Sequence, residues 1–343
     1  MHNRAVHLTA MLAAAATTLM TFLEEAKAES VLLKPKFVQG RITYLELNEE
    51  IEHTIVSGVP SESPTKMTAR QTFGVWHKVE AVSPAGITRI VLTYDRIRQV
   101  FEGPMGSRSF DSDADDPADT SNVLAMAMGP MLGMPMTMEL DKDNNVTSFS
   151  GMEAVRKRIE ETTGGGPIYN RIKAELDDDS YRMLWGESRL ALYANKEVKV
   201  GDSWTRTLKQ HDRALGELIF TYNCELKSLG TENGRKTATV AYTATVAQAP
   251  GSKPEPDPDG TVRRLDFGAF EGTALYDVER GEFVKQASEA RIKISMTAPS
   301  AGDAGISGTL EQKIKSSLGV LTKTERQKQK LENQKKAAGG PDE

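Results

Sequence analysis

The chain has 343 residues, with 43 lysines and arginines against 48 aspartates and glutamates, a formal charge of -5, and one cysteine. So weak and mixed a charge argues against a nucleic-acid surface, and a single thiol excludes an intramolecular disulfide or a thiolate metal cluster. Stability has to come from packing.

Residues 1–28 read as a cleavable export signal. Arg4 supplies a basic start, an apolar run follows from Leu8 to Leu23, and Ala26-Lys27-Ala28 offers the small residues that a signal peptidase requires. Cleavage after Ala28 is expected to release a soluble periplasmic or extracellular protein beginning at Glu29. The apolar run is shorter than the roughly 20 residues of a membrane-spanning helix, and no later stretch is long enough to span either. Glu29 and Ser30 stand where a lipid-modified signal would carry a cysteine. Neither a membrane span nor a lipid anchor is therefore expected after cleavage.

Residues 29–151 read as a first β repeat. Leu45, Leu47, Ile51 and Ile55 share one parity while Ile42 and Tyr44 take the other, which predicts a bulge near Tyr44. Phe73, Val75, Val79 and Ala81 form one strand face, and Ser83-Pro84-Ala85-Gly86 turns into a strand from Ile87 to Phe101. Asp111, Asp113, Asp115, Asp116 and Asp119 then cluster, as hard cations such as calcium require. Their spacing lacks the glycine and glutamate of an EF-hand loop. A solvated loop is the favoured reading, with Asp111, Asp113 and Asp115 as the candidate metal ligands.

Ser121 is placed to cap a short helix from Asn122 to Leu132 that opens a methionine-rich stretch. Flexible thioethers suit an adaptable apolar surface, so Met126, Met128, Met131 and Met134 are candidate contacts for an apolar ligand beneath a lid. A helix buried in the core is the plainer alternative and is preferred.

Residues 152–195 read as a helical connector, with Val155 and Ile159 on one face, Ile168, Ile172 and Leu176 on another, and a further helix capped within Asp177 to Ser180. A second β repeat covers 196–322. Leu218, Phe220, Tyr222, Cys224 and Leu226 alternate with polar residues, Glu232-Asn233-Gly234 is a hairpin signal, and Ala238 to Val246 continue the alternation on the return strand. A second hairpin turns at Glu279-Arg280-Gly281, and Ile306, Leu310, Ile314, Leu318 and Val320 lie in phase on a last strand. Both repeats show the same order: a leading glycine (Gly40, Gly201), a strand, a hairpin, an acidic excursion and a second hairpin, which points to a diverged duplication. Lysine-rich residues 323–343 lack apolar periodicity and are expected to be a disordered tail or a frayed helix.

Histidine is the commonest general base, and past residue 28 the chain holds only His53, His77 and His211. None lies in a recognisable catalytic, zinc or phosphate-binding motif, and His53 and His77 are in phase with apolar strand faces. No cofactor is implied. Convergence of these histidines with carboxylates in a cleft would be required of an enzyme.

Leu33-Lys34-Pro35-Lys36-Phe37 with Gly40, Phe110-Asp111-Ser112, Met131-Leu132-Gly133 leading to Asp141 and Val146, and Val200-Gly201-Asp202-Ser203-Trp204 resemble an uncharacterised family of exported bacterial proteins. That family is of planctomycete type and carries a domain of unknown function. The resemblance implies no catalytic residues. The expected fold is mainly β: long antiparallel strands in two repeated halves, forming an open or half-closed barrel or packed curved sheets, with a central helical segment covering one mouth or face. At fold level it is similar to envelope lipid-carrier half-barrels. The expected function is non-enzymatic binding of a lipid or other apolar small molecule in a dry cavity. The alternative is an envelope structural or interaction module that meets envelope components through the C-terminal tail.

Overall fold

A computed structural model describes residues 29–58, 62–104, 106–173, 176–257, 260–299 and 306–338. The expected export signal lies outside these residues. Chain order gives β1 (Ser30–Leu32), β2 (Ile42–Ser57), β3 (Thr65–Val82), β4 (Thr88–Gly103), β5 (Gly106–Asp111), β6 (Pro135–Leu140) and β7 (Val146–Ser150). After the helical segment come β8 (Glu197–Lys199), β9 (Ser203–Asp212), β10 (Gly216–Glu232), β11 (Arg235–Gln248), β12 (Val262–Asp277), β13 (Glu282–Ala298) and β14 (Ile306–Leu321). The helices are α1 (Val123–Met128), α2 (Met152–Thr163), α3 (Pro167–Ile172), α4 (Asp178–Arg182), α5 (Ser188–Leu190) and α6 (Lys323–Ala337).

Among the described residues, twelve strands form one antiparallel sheet in the order β7-β6-β4-β3-β2-β14-β13-β12-β11-β10-β9, with β5 on the far half of β4. The chain lays down β2 to β7 in one direction across the sheet and β9 to β13 in the same direction, and β14 joins the two runs. The end strands β7 and β9 are not paired with each other, so the sheet stays open, although α4 touches both of them. Leu215, just before β10, and Leu218 near its start share a buried cluster with Ile294 of β13, from which β10 is separated by β11 and β12. The sheet is therefore strongly curled.

Side chains alternate faces along each strand. On β14, Leu310, Ile314 and Leu318 point to one face while Glu311, Lys313 and Lys315 are exposed on the other. The mirror-image hairpin turn between β10 and β11 suits the twist of the strands it joins, and Asn233 and Gly234 supply its positive φ values of 52° and 78°.

Two buried clusters lie on one side of the sheet, here termed the inner face. Leu45, Val75, Ile90, Ile97 and Phe110 pack with Met131 and with Val155, Ile159 and Trp185 from the helical segment. Leu226, Val240, Tyr242 and Tyr276 pack with Val31, Leu33 and Leu192. The helices and the N-terminal segment thus cover one end of the inner face, as expected for a helical cover.

Two expectations are corrected on the opposite, outer face. Neither pairing of β2 shifts register at Tyr44, so no bulge is present; Tyr44 and Leu45 are both buried because both faces are covered there. The cover is α6, a docked helix rather than the expected disordered tail or frayed helix. Thr322 and Glu325 cap it reciprocally, and Arg326, 2% exposed, anchors it. The Arg326 Nη1 and Nη2 atoms donate to the two oxygens of Asp113 at 2.7 and 2.6 Å, and Nε donates to Asp95 at 2.7 Å. The guanidinium also lies 5.4 Å from the centre of the Tyr44 ring. One and two turns on, Gln329 donates to Glu46 at 2.8 Å and Asn333 to Asp113 at 3.0 Å. The docking face is polar, which is why no apolar periodicity announces this helix.

Candidate ligand-binding face

Opposed residues in an antiparallel sheet point to the same side, so the pairing sorts the inner face into transverse rows. Phe73, Leu47 and Leu318 form an apolar row under the helical cover, followed by a polar row of Gln99, Gln71, Glu49, Ser316 and Ser288. Beyond it, Phe101, Ala69, Ile51, Ile314, Ala290 and Phe270 form a second apolar row across six strands. A further row contains Met67, His53, Gln312 and Ile292, and the next contains Ile55, Leu310, Ile294 and Leu265. Most of these apolar residues are only half-buried, and Phe101 is 41% exposed.

The polar row is tied internally. Gln71 Nε2 donates to Glu49 at 2.5 Å and Ser316 Oγ donates to its other oxygen at 3.0 Å. On the neighbouring strands Tyr242 reaches over β12 to accept a hydrogen bond from Gln286 at 2.7 Å. That crossing needs Gly272: a Cβ there would lie 2.7 Å from the Tyr242 ring. Above the row, Trp185 Nε1 donates to the Tyr94 hydroxyl at 2.8 Å.

The described residues do not enclose the expected dry cavity. Beneath the helical cover the described residues leave a cavity of about 60 Å³ with several charged walls; the larger apolar surface is open. Trp185, Met131 and their neighbours fill the covered end, while the unpaired end strands leave the rest of the face unroofed.

The methionines are divided by this arrangement. Met131 is buried in the first core, Met128 and Met134 pack against it, and Met126 is half-buried on α1. Met128, Met131 and Met134 thus form part of the core wall rather than a lid over the half-buried apolar rows. The cap of α1 is Asn122, whose Oδ1 accepts from Leu124 N at 3.0 Å, instead of Ser121.

The acidic residues meet arginines. Asp111 accepts from Arg96 at 3.0 Å and lies 3.5 Å from Arg98, Asp113 holds Arg326, and Asp115 accepts from the Asp111 backbone at 2.7 Å. Burial alone would raise the Asp113 carboxyl, but hydrogen bonds from Arg326 and Asn333, with the charges of Arg326 and Arg96, hold it below the usual range. No group of histidine, cysteine and acidic residues arranged to hold a metal occurs among the described residues.

The three histidines are not brought together. His53 on β2 meets Gln312 across 3.2 Å, and burial lowers its pKa. His77 pairs with Thr43, ten positions along β2 from His53, or about 33 Å at the rise of a strand. His211 is exposed on β9. Burial pushes the Cys224 thiol up to about 12, leaving it inert as a nucleophile.

The sequence pattern of a family of unknown function, DUF6263, matches residues 85–266, just over half of the chain. The chain belongs to this family. The DUF6263 match takes in Phe110-Asp111-Ser112, Met131-Leu132-Gly133 and Val200 to Trp204, while Leu33 to Gly40 precede it. No curated protein sequence matches the chain.

Among solved structures the chain is similar to lipovitellin, in a study of its lipid-protein interactions, at a TM-score of 0.41 and 9% identity. The likeness covers 84% of this chain and only 26% of the lipovitellin chain. DynF from the dynemicin pathway of Micromonospora chersina gives 0.20 at 9% identity over 88% and 89% of the two chains. OmpF of Salmonella typhi gives 0.20 at 6% identity over 81% and 98%. Likenesses this distant carry no functional argument.

No helix among the described residues is long and apolar enough to cross a membrane.

Proposed function

We propose that this DUF6263 protein is an exported, non-enzymatic binding protein that holds the apolar chain of a lipid or similar molecule against the open inner face of its sheet. The observation that carries this reading is the apolar row Phe101, Ala69, Ile51, Ile314, Ala290 and Phe270 across six strands: its two alanines are buried, but Phe101 is exposed and Ile51, Ile314 and Phe270 are half-buried, although charged residues occupy the other side of the same strands. Contiguous apolar surface of this kind marks interaction sites in soluble proteins. The signal-like residues 1–28 support an extracytoplasmic setting.

The test uses purified protein beginning at Glu29 and a fluorescent fatty acid. Saturable binding is expected, weakened at least about tenfold by Ile314→Glu, which places a charge among apolar contacts. Lys313→Glu, on the outer face of the same strand, is expected to leave binding unchanged. Absence of saturable binding, or equal binding by both variants with unchanged circular dichroism, would overturn the reading.

A further inference from the structure

A second feature of the inner face is independent of the apolar rows. The cavity of about 60 Å³ beneath the helical cover is walled by Lys36, Arg41, His77, Arg189, Tyr193 and Glu282. Three of these carry positive charge and one carries negative charge. Glu282 already forms an ion pair with Arg280, outside the cavity wall. Among the described residues no carboxylate makes an ion pair with Arg189; Glu282 and Tyr193 act on it only as neighbouring charges.

Arg189 is half-buried, and a guanidinium that gives up part of its hydration without a counter-ion in exchange is costly. The contrast with Arg326 is direct. Burial opposes the charge of both side chains, but at Arg326 hydrogen bonds to Asp113 and Asp95 and the Asp113 charge reverse the effect and raise the pKa. At Arg189 nothing reverses it, and the pKa is lowered.

The neighbouring groups suit an anion. Arg41 Nη1 is held by the carbonyls of Lys36 and Arg280 at 3.0 and 2.8 Å, which fixes the guanidinium at the cavity wall. The Tyr193 hydroxyl accepts from Phe283 N at 3.3 Å, so its own proton remains available to a ligand. Burial and the Arg189 charge lower His77 to about 3, so it lines the cavity as a neutral imidazole and adds no charge that would compete for the anion. The volume exceeds the roughly 10–15 Å³ that one water requires and is far below that of an acyl chain.

We propose that this cavity is a binding site for a small oxyanion, a carboxylate, phosphate or sulfate, held by the Arg189 guanidinium with Arg41 at its side. The planar guanidinium fork matches two oxygens of such a group. These ligands share one chemistry: at least two oxygens that share a negative charge.

Trp185 lines the same cavity and supplies a readout. Protein beginning at Glu29 is titrated with sodium phosphate, sulfate or acetate at ionic strength held constant with chloride. A saturable change in tryptophan fluorescence and a raised Tm are expected with at least one oxyanion and not with chloride. The responding salt distinguishes a carboxylate from a phosphate or sulfate ligand. Arg189→Gln is expected to weaken binding at least about tenfold, and Arg189→Lys to retain part of it. If Arg189→Gln does not fold, Arg41→Gln makes the same test from the cavity wall. Responses indistinguishable from chloride, or unchanged binding in the folded variants, would overturn the proposal. Fatty-acid binding is measured separately, so failure here leaves the apolar-face reading standing, and the reverse also holds.

Discussion

Two glycines let aromatic side chains cross a strand. Gly74 on β3 lets Tyr44 lie toward β4, where a Cβ would come within 1.7 Å of its hydroxyl, and Gly272 does the same for Tyr242 on the inner face. Gly272→Ala is expected to lower stability by about 1–3 kcal/mol, the usual cost of overpacking, read as a shift of the urea midpoint at unchanged slope. His77 gives a pH dependence. Its folded pKa of about 3 lies below the ordinary value of 6.5, so between these values the unfolded chain binds more protons and stability falls as pH falls. The effect is absent above pH 6.5 and complete below about 3. His77→Gln should flatten the curve of denaturant midpoint against pH over this window; an equally steep curve would contradict the burial of the imidazole.

At the scale of elements, strands and helices differ in how openly their sequences announce them. In β14 each apolar residue faces inward and each charge outward, so its alternation was legible at once. For α6, partners at positions 326, 329 and 333 bind a polar surface brought together from β2, β4 and the segment after β5. No apolar stripe could reveal such a docking site, although the Thr322 and Glu325 capping pair was a local signal. The methionine segment left two readings open for a related reason: thioethers suit a lid as well as the preferred core helix, and the packing of Met131 among Ile97, Phe110 and Trp185 is what distinguishes them. Arg326→Met is expected to cost about 3–5 kcal/mol by removing the arginine that pairs with Asp95 and leaving Asp113 with Arg96 alone. Limited proteolysis should then cut α6 before the sheet, and simultaneous cleavage of both would argue against a separately docked helix.

For the whole molecule, two cores share one continuous sheet joined at β2 and β14. That continuity predicts a single cooperative unfolding transition despite a length of 343 residues. Leu226→Ala in the second core and Ile97→Ala in the first, each replacing a side chain with 0% exposure, should each cost about 2–5 kcal/mol. Both should shift the same transition when followed by circular dichroism and by fluorescence. Separate transitions for the two variants would show that β2 and β14 do not couple the halves.

The sequence by itself determined the mainly β class, the long hairpins, the position of the helical segment and the common order of parts in the two strand series. All of these are written in neighbouring residues, through alternation, turn chemistry and helical spacing. Only the tertiary structure decided that the sheet remains open, that the apolar rows lie beside a polar one, that the C-terminal helix is clasped by Asp113, and that Arg189 stands without an ion-pair partner. Each of these depends on residues far apart in the chain, whose meeting is fixed by strand order and curl rather than by any local pattern.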